Sequence, residues 1–98
     1  MTPVLIKADG TTEEIQPSNG TDFTFAELYP VLATDMIEII SLYDGTIMLM
    51  DEEGSFKDQP KINEKATDVA ETALNKVGRV LCVPLAGDVV HCDSEYIK

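Results

Sequence analysis

Four residues near the C-terminal end, Cys82, His91, Cys92 and Asp93, are of the types that do chemistry. A thiolate is a nucleophile or a soft metal ligand, an imidazole moves protons near neutral pH or binds zinc, and a carboxylate can orient either group. Spacing decides whether they meet. "VPLAGDVVHC" reads as a hairpin turning at Gly87-Asp88, and a two-residue turn there sets Pro84 opposite His91, Val83 opposite Cys92 and Cys82 opposite Asp93. Opposed residues share a sheet face, so Cys82, His91 and Asp93 are expected together, with Cys92 on the other face beside Leu81, Val83 and Leu85. That set could form an activated thiol or three ligands of a metal. The ordinary alternative is a small apolar cysteine beside a structural histidine. With the two cysteines pointing to opposite faces, a disulfide is disfavoured, in agreement with a reducing compartment.

Asn63, in "PKINEKATDV", is the second candidate. It stands where the N-cap of a helix should be, with Glu64 in the first turn and Ile62 placed as a hydrophobic staple. A helix N-terminus is also a natural anion site, so the same side chain could touch a ligand or partner. Elsewhere the catalytic signatures are missing: there is no P-loop, nucleophile elbow, paired-cysteine zinc motif or dinucleotide glycine motif. "DEEG" at 51–54 lacks the alternating acids of a calcium loop and reads as a solvated turn. No catalytic residue and no cofactor is expected.

The elements that must carry these residues are three hairpins and two helices. Asp9-Gly10 and Asp44-Gly45 each centre a stretch with the composition of a type I′ hairpin, and Gly87-Asp88 centres the third. The arms of the middle hairpin, Met36 to Leu42 and Thr46 to Met50, are mostly apolar, which predicts the heart of the sheet. "TFAE" at 24–27 has the form of a capping box, opening a helix that turns Phe25, Leu28, Val31 and Leu32 inward and that Pro30 shortens or kinks. Ala66, Val69, Ala70, Ala73, Leu74 and Val77 recur at helical spacing, with Gly78 placed to end that helix. The order predicts a single α+β domain over residues 1–98: a mainly antiparallel sheet from three hairpins with two helices, β-β-α-β-β-α-β-β, and the helices on one face.

"IEIISLYDGTIMLMDEEGSFKDQPKINEKAT" followed, after a helix, by "GRVLCVPLAGDVV" resembles the small phage and mobile-element proteins grouped as domain of unknown function 3846. The likeness lies in an apolar strand, a strand ending in the acidic turn Glu52-Glu53-Gly54, Pro60 and Asn63 ahead of the second helix, and a closing Gly-apolar strand. The N-terminal hairpin matches loosely, and "ATDVAETALNKVG" is longer than the usual connection. The resemblance implies a bacterial or phage-derived cytoplasmic protein without an assigned activity. Glu53, Gly54, Pro60 and Asn63 are the candidate contacts for a ligand or partner.

Composition narrows the function classes. Of 98 residues 44% are hydrophobic, with no tryptophan and three each of tyrosine and phenylalanine, so the core must be mainly aliphatic. Eighteen acids against seven bases give a net charge of −11, and no basic residue occurs between Lys7 and Lys57. That half of the chain repels a phosphate backbone, which argues against direct nucleic-acid binding. No run reaches the length of a membrane span or a signal-peptide core, which predicts a cytoplasmic location. The expected function is a non-enzymatic binding or interaction module, a phage or mobile-element modulator that occupies a host protein or sequesters a small ligand. The alternatives are a small thiol- or metal-dependent protein using Cys82, His91 and Asp93, and an acidic decoy that mimics DNA.

Overall fold

The computed structural model describes residues 2–53, 61–81 and 83–97. Asp-Gly-Thr occurs at 9–11 and again at 44–46, and both copies make the same local bonds. The aspartate Oδ1 accepts from the threonine N–H at 2.9 Å and from its hydroxyl at 2.6 Å. These bonds hold both aspartates below the usual carboxylate range. In each the glycine alone of the pair has positive φ, +93° at Gly10 and +89° at Gly45, so neither turn is the two-residue type I′ form expected. The aspartate bonds forward instead, and three residues make the loop. Lys7 N–H reaches Thr11 O at 2.8 Å and Leu42 N–H reaches Thr46 O at 3.1 Å.

The first turn joins β1 (Val4–Ile6) to β2 (Thr12–Glu14), and the second joins β3 (Ile37–Ser41) to β4 (Thr46–Asp51). The last strand, β5 (Val89–Asp93), pairs antiparallel with β1 through Val4↔His91 and with β4 through Met48↔His91. The sheet order is β2-β1-β5-β4-β3, all neighbours antiparallel. Two expectations are corrected here. The heart of the sheet is β5, not the middle hairpin, and β3 is an edge. Among the described residues the third hairpin does not form, because β1 and β4 occupy both edges of β5 and leave no edge for residues 79–81 and 83–85. The backbone of that segment turns to α2 (Glu64–Asn75) and its approach: Leu85 N–H donates to Thr67 Oγ1, Leu85 O accepts from Asn63 N–H, and Gly87 N–H donates to Lys61 O. The observed order is β-β-α-β-β-α-β.

The helices lie on opposite faces, which corrects the one-face arrangement. Alternation along the strands makes both faces apolar, so each must be covered. On one face Leu28 and Leu32 of α1 (Phe25–Leu32) and Phe23 pack on Leu5, Ile47, Leu49, Val90 and Cys92. On the other, Ala66, Ala70 and Leu74 of α2 pack on Ile6, Met48, Met50 and Val89. The capping box forms as expected: Glu27 N–H donates to Thr24 Oγ1 at 3.2 Å and Thr24 N–H to the Glu27 carboxylate at 3.1 Å. Pro30 leaves α1 eight residues long, ended by Ala33 in the left-handed region. Gly78 closes the end of α2, its N–H on Asn75 O while Arg79 N–H reaches Leu74 O. Phe25, Val31 and Val77, expected inward, are exposed.

Candidate functional site

The edge of β3 is open among the described residues. Bonds from Leu42 N–H to Thr46 O and from Glu52 N–H to Met36 O set the phase of the β3–β4 ladder. Glu38 and Ile40 therefore bond to Met50 and Met48, while the N–H and C=O groups of Ile37, Ile39 and Ser41 point away from the sheet. An exposed row of this kind is a template for another strand. Among the described residues no other segment pairs with it; β3 has no proline and no lysine, its one charge is Glu38, and Ile39 is 43% exposed.

Beside that edge, on the α2 face, lies a groove of about 400 Å³. Its floor is apolar, from Ile40, Met50, Leu74, Leu81 and Leu85, and its rim carries Glu38 and Glu52. The far wall is formed by residues 79–81 and 83–86, where Val80 and Val83 stand exposed. Tyr43 sits at the end of the groove with φ +61°, a conformation uncommon for a bulky residue. The Arg79 guanidinium lies over its ring, 4.2 Å from the centroid. The arrangement offers hydrogen-bonding backbone along one side, an apolar floor, acids on the rim and the Arg79 cation at the end. It can hold an extended chain; among the described residues it holds no nucleophile or base in a reacting arrangement.

The residues singled out from the sequence that fall among the described ones lie elsewhere. His91 and Asp93 share the α2-side face of β5, as expected, while Cys82 lies outside the described residues. His91 Nε2 is 3.0 Å from Thr46 Oγ1. Because the Thr46 hydroxyl donates to Asp44 at 2.6 Å, the imidazole must be the donor to Thr46, which places its proton on Nε2. Burial holds the His91 pKa below its ordinary value, against the weaker pull of Asp44 and Asp93. Cys92 is fully buried in the α1-side core, and burial pushes its thiol up to about 11, so it is inert. Leu81 and Leu85, expected on its face, belong to the α2-side core instead. Among the described residues no three His, Cys, Asp or Glu side chains gather in a metal-holding arrangement.

Asn63 caps α2, its Oδ1 accepting from Ala66 N–H at 3.0 Å. It is also wholly buried, and its Nδ2 donates to Ile6 O at 2.8 Å and to Gly87 O at 2.9 Å. One carboxamide thus ties the start of α2 to the end of β1 and to the approach to β5. Ile62 is exposed and bridges to the Ala86 backbone rather than stapling the helix. Glu53 is exposed, its N–H on Asp51 Oδ1; Gly54 and Pro60 lie outside the described residues. A second concavity, lined by Lys7, Ala8, Asp9, Lys61 and Asp88, balances two cations with two acids, and Asp88 accepts from Ala8 N–H.

The groove and edge escaped the sequence reading because the run "VLCVPL" has strand composition while its valines face outward. Tyr43 and Arg79 carry no motif. A scan against protein-family models, a search of curated proteins and a search of solved structures each returned no match. No helix among the described residues is long and apolar enough to cross a membrane.

Proposed function

We propose that this protein is a non-enzymatic binding module that takes an extended segment of a partner protein as an added strand on β3, its side chains reaching into the neighbouring groove. The observation that carries the reading is the coincidence of the two features. An open edge supplies main-chain hydrogen bonds and the adjacent apolar groove supplies pockets for alternate side chains, the division of labour by which strand addition gains affinity and specificity. The resemblance to domain of unknown function 3846 supports a phage or mobile-element setting, in which such a module would modulate a host protein in the cytoplasm.

The test is a selection from a displayed library of extended peptides, followed by binding to the wild type and to Ile39→Pro. Proline there removes an outward N–H that an added strand needs, while the ladder to β4 keeps its bonds. Enriched peptides that bind the wild type and lose at least about tenfold in affinity for the folded variant support strand addition. Peptides that bind both proteins alike, or a selection that enriches none, contradict it.

A further inference from the structure

Resting on the strand-addition reading, we propose that β3 receives a basic-apolar protein segment, with Lys or Arg opposite Glu38 and an apolar residue opposite Ile40. Side chains alternate along a strand, so Glu38 and Ile40 share the groove face while Ile39 points to the other. A residue of the incoming strand opposite Glu38 would lie about 5 Å away between Cβ atoms, close enough that an acid there is repelled and a cation attracted. Glu52 on the same rim strengthens the preference. Two positions further along, in either strand direction, the incoming side chain meets Ile40 and the apolar floor.

The wider field acts in the same sense. The net charge is −11 and the chain from Lys7 to Lys57 holds no base, so a cationic segment is drawn toward β3 and an anionic one is turned away. Arg79 stands at the other end of the groove, against Tyr43, where an acidic side chain or a terminal carboxylate of the segment can meet it. A second copy of this chain fits the edge less well, because it brings the same net negative charge to the same rim.

The experiment is fluorescence anisotropy with synthetic peptides of about eight residues, one strand's length, carrying Lys, Gln or Glu at the position facing Glu38 and Val two residues away, in both sequence orders. The proposal expects the Lys peptide to bind the wild type at least about tenfold more tightly than the Glu peptide, and Glu38→Lys to reverse the order. Equal binding of the three peptides that is still lost in Ile39→Pro overturns the charge preference and leaves strand addition standing. No binding by any peptide overturns strand addition itself. Sedimentation showing a dimer that Ile39→Pro dissolves overturns the proposal in favour of a second copy.

Discussion

Asn63 shows how much one side chain can hold. As a cap alone it would tolerate any short acceptor, but its Nδ2 also satisfies two carbonyls inside the fold. Asn63→Asp keeps the acceptor and turns an oxygen toward Ile6 O and Gly87 O, with a buried charge added. Thermal unfolding should therefore rank Asp at least as destabilising as Ala, each by about 2 kcal/mol or more. Asp within a few tenths of wild type would show that the Nδ2 bonds contribute nothing. His91 gives a pH test. Its folded pKa is depressed below 6.5, so the unfolded chain binds the proton first as pH falls. Stability from this group is complete above pH 6.5 and declines as pH drops through that value toward the folded pKa, ahead of the carboxylates, whose unperturbed values are 3.8 and 4.5. Unfolding followed from pH 7 to 5 should show that decline in the wild type and lose it in His91→Asn. The same slope in both proteins would remove His91 as its cause. The cap at Asn63 was legible from the sequence, because capping is local; the two long-range carbonyls were not, since nothing in the chain near residue 63 specifies Ile6 or Gly87 as neighbours.

At the scale of elements, the two strands of the middle hairpin differ in ways their composition hides. Leu49 on β4 is fully buried between β3 and β5, while Ile39 on β3 is 43% exposed. Leu49→Ala should cost about 2 to 5 kcal/mol through lost burial and a cavity, and Ile39→Ala less than about 1. Comparable losses in chemical denaturation would mean that β3 is covered. The helices were legible because their signals are local: Thr24 and Glu27 form the capping box, and Ala66, Ala70 and Leu74 repeat every fourth residue. The third hairpin was misread because apolar runs and a Gly-Asp pair describe a local strand equally well whether or not an edge is open to receive it. β5 was spoken for by β1 and β4, from the far end and the middle of the chain. The same nonlocal pairing decides that one helix covers each face. Breaking the capping box with Thr24→Ala should cost about 1 kcal/mol in the same assay, and an unchanged midpoint would remove the box from the account of α1.

Over the whole molecule, acidity and architecture meet at β3. The β2 edge is three residues long and presents Glu13 and Glu14, which discourages pairing with anything acidic or apolar, whereas β3 is longer and mostly apolar. A charge of −11 gives association with a cationic segment a long reach. Stopped-flow binding of the Lys peptide should show the association rate falling steeply with salt while dissociation changes little, because steering is screened and the buried contacts are not. A salt effect confined to dissociation would place the charge contribution within the bound complex instead. The most direct measurement is amide hydrogen exchange, residue by residue, with and without a selected peptide. Strand addition on β3 predicts that Ile37, Ile39 and Ser41, whose N–H groups point outward, slow markedly on binding, while Glu38 and Ile40, already bonded to β4, change little. Bound peptide with the exchange of Ile37, Ile39 and Ser41 unchanged would contradict it.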